Sequence, residues 1–168
     1  MASGMYSEDG LVEQPAIQLF SELGWETLSA SDEVMGASGT LGRETKSEVV
    51  LAVRLRSVLV RLNPSLPPEA ISAAVDELAR DRSAMLPTAA NRELWALIRD
   101  GVKVSVPDPA KGGVKAERVR VVAWDDPAAN DFLLVSQMTI VGQLYTCRPD
   151  LIGFVNGLPW VVIELKKP

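Results

Sequence analysis

The chain has 168 residues and a formal net charge of −5, with 47% apolar and 23% charged residues, the balance of one ordinary globular domain. It contains no histidine and one cysteine, Cys147, which excludes Ser-His-Asp triads, Cys-His dyads, histidine metal sites, zinc clusters and internal disulfides. No apolar run approaches the roughly 20 residues of a membrane span, no basic-then-apolar leader opens the chain and no Gly-x-x-x-x-Gly-Lys-Ser/Thr loop occurs, so a cytoplasmic protein with no membrane contact is expected.

The charge is unevenly spread. Residues 1–35 hold seven acids and no Lys or Arg, whereas the remaining 133 hold 17 bases and 15 acids. Basic clusters at Arg54, Arg56 and Arg61, and at Lys111, Lys115, Arg118 and Arg120, either meet phosphates or lie on solvated surfaces.

In chain order, residues 1–9 are expected to fray. A helix is predicted from about Leu11 to Leu23, with Val12, Ala16, Leu19 and Leu23 as its apolar row and Ile17 and Phe20 widening it. Pro15 falls near its first turn and Gly24 stops it. Glu13 lies at the edge of the inward stripe. Residues 26–42 read as a loop. A second helix is predicted from about Glu44 to Leu62, with Val49, Val50, Val53 and later Leu residues inward, ended by Asn63-Pro64. Pro67-Pro68 opens a third through about Arg80, with Ile71, Ala74, Val75 and Leu78 as its stripe. A fourth runs from about Asn91 to Asp100 and stops at Gly101. The period then shortens to two at Val102, Val104 and Val106, a strand. Strands are also expected from Glu117 to Trp124 and, with possible breaks, from Phe132 to Val141. The whole is a single domain, 1–168, mainly helical over 10–101 and mainly strands over 102–168. Helices first and strands later imply an α+β or mixed α/β fold. The tryptophans, Trp25, Trp95, Trp124 and Trp160, share no spacing and read as core or rim residues, and Cys147 as a small packed residue.

The last 20 or so residues carry the chemistry. Two apolar runs flank Asn156-Gly157, a strong hairpin signal because both residues tolerate positive φ. The hairpin returns Asp150 close to Glu164 and Lys166, and these last two share a strand face. Two converging carboxylates call for a cation, and few hard oxygen ligands suit Mg²⁺. A neighbouring lysine can orient water or stabilise charge on phosphorus, the minimum for phosphodiester hydrolysis without histidine. The plainer alternative is an edge hairpin whose polar residues mark where the strands leave the core. The metal reading carries a geometric demand. A strict two-residue turn pairs Val155 with Leu158 and Asp150 with Ile163, which sets Asp150 on the face opposite Glu164. A glycine bulge at the turn, or a break in the pleat after Pro149, is therefore expected.

Arg148-Pro149-Asp150 followed by Phe154-Val155-Asn156-Gly157-Leu158-Pro159-Trp160-Val161-Val162-Ile163-Glu164-Leu165-Lys166-Lys167 resembles the Pro-Asp…Glu-x-Lys nuclease motif as it occurs in the restriction (R) subunit of type I restriction enzymes. Leu11 to Ile17, Leu23-Gly24-Trp25, Leu62-Asn63-Pro64, Asn91 through Gly101-Val102 and Asn130-Asp131-Phe132 are similar more loosely. The resemblance implies a restriction-endonuclease-like core, a central mixed sheet flanked by helices, with an N-terminal helical region. It implies Asp150, Glu164 and Lys166 as catalytic residues, with Mg²⁺ held by Asp150, Glu164 and the Leu165 backbone carbonyl. Glu13 matches an opening-helix glutamate that assists the metal; the alternative is a carboxylate favoured by a helix N-terminus. Arg148 and Lys167 are candidate DNA contacts. Implied partners are double-stranded DNA and the methyltransferase and specificity subunits, with ATP acting only through motor regions absent from this sequence. The end of the chain two residues beyond Lys166 suggests a truncated domain. Two rival readings remain: an inactive module that only binds DNA or another subunit, and a different nuclease of the same fold such as a junction resolvase.

Overall fold

The computed structural model describes residues 12–108 and 112–166. The expected fraying of residues 1–9, and the calls on Leu11, Lys111 and Lys167, lie outside them. The fold is mixed α and β, with four α-helices among the described residues and a four-stranded mixed sheet. The chain divides into two compact units, residues 1–51 with 131–168, and residues 52–130.

The first unit contains α1 (Gln14–Glu22), β1 (Glu26–Ser29), β4 (Phe132–Ser136), β5 (Ile140–Val141), β6 (Thr146–Cys147), β7 (Leu151–Val155) and β8 (Leu158–Ile163). The second contains α2 (Ala52–Leu62), α3 (Pro68–Ala79), α4 (Pro87–Asp100), β2 (Val102–Pro107) and β3 (Val114–Val119).

In the first unit the sheet order is β1-β4-β7-β8. β1 runs parallel to β4, and the other neighbours are antiparallel. Its core gathers Leu41, Leu51, Leu133, Val135, Met138, Ile152 and Phe154. Every residue of β7 is buried, as befits a strand with neighbours on both edges. The turn to β8 is equally buried. Asn156 at φ 55° and Gly157 at φ 79° form the expected two-residue turn, with Val155 opposite Leu158. The Asn156 side-chain oxygen accepts the Asp131 backbone N–H at 2.7 Å, and the Asn156 N–H donates to the Asp131 carbonyl at 2.8 Å.

Several sequence expectations need correction in this unit. Residues 26–29 are strand β1, not loop. The break allowed for between Phe132 and Val141 is present: β4 stops at Ser136, where Gln137 turns to φ 57°, and Ile140–Val141 then pairs separately with Thr146–Cys147. Cys147 is exposed rather than packed. On α1, Leu19 and Leu23 are exposed, and the inward line is Glu13, Ile17 and Phe20, with Phe20 edge-on to Trp25 at 5.1 Å between ring centroids. The predicted helical start at Glu44 fails because buried Arg43 draws the Lys46 and Glu48 carbonyls to its guanidinium, which removes acceptors a helix would use.

In the second unit, α2 begins at Ala52 and buries Leu55, Val58 and Leu59, while Val53 is exposed. Helix α3 buries Ile71, Ala74, Val75 and Leu78 as its stripe requires. Helix α4 starts at Pro87, four residues before the expected Asn91, because proline is well suited to a helix's first turn. Strands β2 and β3 pair antiparallel, and β3 lies at 114–119 rather than 117–124. Most cations of the two basic clusters already have partners. Arg56 bonds Ser72, Arg61 the Ala129 carbonyl, Arg118 the Asp100 carbonyl and Arg120 the Asp125 carboxylate. Trp95 and Trp124 meet edge to face at 6.0 Å, half-exposed at the rim.

Candidate active site

The register of the terminal hairpin decides whether Asp150 can meet Glu164. The pairs run Val155–Leu158, Phe154–Pro159, then Gly153–Val161, Ile152–Val162 and Leu151–Ile163, with a shift between Gly153 and Phe154. Trp160 is the extra residue, a β-bulge in β8. The required one-residue shift is therefore present, but neither at the turn nor after Pro149, the two places expected. Its position has local causes. Pro159 brings no N–H to the ladder, which favours a bulge beside it. Opposite the shift stands Gly153, where a Cβ would come within 3.3 Å of the Trp25 ring and 3.5 Å of the Val161 side chain.

The paired residues end at Leu151–Ile163; continued by one step, this register would set Asp150 opposite Glu164, on the same face. The Leu165 backbone N–H donates to Asp150 Oδ2 at 2.7 Å, which ties the strand entering the hairpin to the segment leaving it. Asp150 is half-buried. Glu164 and Lys166 are exposed, and no other described residue engages the Glu164 carboxylate or the Lys166 ammonium.

Next to this end of the hairpin, Gln137 makes two contacts. Its backbone N–H donates to the Asp150 carbonyl at 3.0 Å. Its side-chain amide donates to Glu13 Oε2 at 2.9 Å. Glu13, only 9% exposed, points inward from the start of α1. Glu13, Gln137, Arg148, Ser29 and Ser136 help line an open cleft of about 660 Å³. Arg148 is exposed on the cleft wall, directly before buried Pro149. The sequence reading missed Gln137 and the cleft hydroxyls; the only signal for Gln137 was a polar side chain within an apolar run.

Among the described residues no three or more Asp, Glu, Cys or His gather around one metal-sized position. Asp150 and Glu164, on adjoining segments, offer carboxylate oxygens of which, among the described residues, the Leu165 N–H takes one. A small number of hard oxygen donors facing water fits Mg²⁺, which keeps several waters and takes substrate phosphate oxygens.

Comparison with known proteins identifies the family. The family described as "Type I restriction enzyme R protein N terminus" matches residues 5–168. The type I restriction enzyme HindI endonuclease subunit of Haemophilus influenzae is 37% identical over 158 residues, 94% of this chain and 15% of that protein. A provisionally assigned type I restriction enzyme MjaIXP endonuclease subunit of Methanocaldococcus jannaschii is 24% identical over 165 residues, 96% of this chain and 15% of that protein. The chain thus spans about 15% of the length of these curated relatives. No described helix is long and apolar enough to cross a membrane.

Proposed function

Because the chain belongs to the family of type I restriction enzyme R protein N termini, we propose that it is the DNA-cleaving segment of such a subunit and hydrolyses phosphodiesters with Mg²⁺. The observation that carries this reading is the Trp160 bulge, whose one-residue shift, continued one step past Leu151–Ile163, would bring Asp150 to the face of Glu164. Family membership also sets aside the junction-resolvase alternative.

Asp150 and Glu164 would hold the ion, with the Leu165 backbone carbonyl as a further oxygen donor. When bound, Mg²⁺ lowers the pKa of a coordinated water and screens phosphate charge. Lys166 orients the attacking water and stabilises charge that develops on the phosphoryl oxygens. The Leu165 N–H occupies one Asp150 oxygen and so fixes the direction of the other. Arg148 on the cleft wall contacts the DNA backbone, and Lys167 continues the basic end of the motif. In the whole enzyme, a cytoplasmic assembly, ATP-driven motor regions move double-stranded DNA while methyltransferase and specificity subunits choose the site.

Nicking of supercoiled plasmid in Mg²⁺ tests the reading. Cleavage should require the metal and fall at least about 100-fold in Asp150→Ala and in Lys166→Ala, the scale of losing one preorganised charge-stabilising group. Cleavage indifferent to both substitutions excludes the site. Binding of DNA with no cleavage under any metal would support the module that only binds.

A further inference from the structure

The opening-helix glutamate is already engaged. Glu13 is buried, its Oε2 is taken by the Gln137 amide, and among the described residues no three acids gather around one position. Gln137 in turn holds a left-handed backbone at φ 57°, a conformation that is unfavourable for a residue with a Cβ and persists only when its surroundings over-determine it. Two bonds do so here. One is the Glu13 carboxylate on its side chain, and the other is the Asp150 carbonyl on its N–H.

We propose that Glu13 is a positioning residue rather than a metal ligand: it anchors Gln137, and Gln137 clamps the Asp150 backbone where the carboxylate must point. The inference rests on the metal site proposed above. In this relay the Glu13 charge is dispensable and its hydrogen-bond acceptor is not. A ligand has the reverse requirement, because a divalent cation prefers a carboxylate to a neutral amide. The left-handed turn also explains why β4 ends at Ser136 and the chain leaves toward β5: the same backbone reversal that breaks the strand brings the Gln137 N–H onto Asp150.

Mn²⁺ binding to the whole chain, read by electron paramagnetic resonance, together with thermal unfolding, separates the two roles. The expected result is that Glu13→Ala weakens Mn²⁺ binding about 10–100-fold, the usual cost of losing a group that orients a ligand. Glu13→Gln, which still accepts the Gln137 amide, should stay within about 3-fold of wild type. Gln137→Gly should weaken Mn²⁺ to the Glu13→Ala level while its melting temperature stays level or rises, since glycine relieves the positive φ. Gln137→Asn tolerates the same backbone but is too short to reach Glu13, and should behave likewise. Glu13→Gln as damaging as Asp150→Asn would overturn the proposal and make Glu13 a ligand. Gln137→Gly and Gln137→Asn with wild-type binding would overturn it while leaving the Asp150–Glu164 site intact. Wild-type protein that binds no Mn²⁺, or Asp150→Asn that binds it undiminished, would remove the metal site and this relay with it.

Discussion

Asp150 and Leu165, 15 positions apart, are joined by a 2.7 Å hydrogen bond from the Leu165 backbone N–H to the Asp150 carboxylate. The contact exists because β8 carries one residue more than β7 across the bulge at Trp160. Deletion of Trp160 should therefore restore strict pairing and turn Asp150 to the opposite face from Glu164. The expected variant folds, because Trp160 lies on an edge strand and is 38% exposed, yet loses Mn²⁺ binding to the level of Asp150→Asn. Circular dichroism reports the fold and a Mn²⁺ titration the site; a folded deletion variant with wild-type affinity would show that the register does not matter.

The ends of the hairpin were legible because turn chemistry is local. Asn-Gly announces a two-residue turn whatever surrounds it. The bulge was legible only as a requirement, deduced from which face Asp150 must share, and its position depended on Trp25 packing against Gly153, a contact no local pattern encodes. Strand β1 was missed because a short strand with the exposure of Glu26–Ser29 shows no clean alternation. Residues 44–51 were read as helix because their composition permits one, and a buried arginine from outside the segment overrides it. Gln137 was invisible for the same kind of reason: Val-Ser-Gln-Met-Thr-Ile shows a break only as a possibility, and what fixes it at Gln137 is a bond to a side chain 124 residues earlier.

The buried turn should be sensitive in a graded way. Asn156→Gly removes the acceptor of the Asp131 N–H and should cost about 1–3 kcal/mol. Asn156→Ala loses the same acceptor and also places a Cβ at φ 55°, which adds about 1 kcal/mol. Urea unfolding should rank wild type above Asn156→Gly above Asn156→Ala. Equal stabilities for the two variants would mean the left-handed backbone is not retained.

Arg43 is 1% exposed and its guanidinium bonds the Glu33 carboxylate and the Glu48 and Thr139 carbonyls. Arg43→Met leaves Glu33 buried without its counter-charge, a loss of about 3–5 kcal/mol. Arg43→Met combined with Glu33→Leu removes both charges and should recover most of that loss. A double variant as unstable as the single one would locate the cost in the lost carbonyl contacts instead of the stranded carboxylate.

Acid should weaken the second unit through its exposed carboxylates. The Arg82 hydrogen bond holds the Glu93 carboxyl below the ordinary value of 4.5, with Arg80 adding to it. Asp81 is lowered by the Ser83 backbone N–H and Asp100 by its Arg99 partner. A carboxyl with a depressed folded value contributes stability that is present above its unfolded value and is lost as pH falls through the folded one. Unfolding midpoints should thus decline as pH is lowered through and below 4.5, by a modest amount because these groups face solvent. Arg82→Met should raise the Glu93 titration midpoint toward the ordinary value and flatten part of the decline. Side-chain carboxyl resonances of Glu93 followed from pH 7 to pH 2 measure this directly. A wild-type Glu93 that titrates at or above 4.5, or one that Arg82→Met leaves unmoved, would break the link between that ion pair and acid sensitivity.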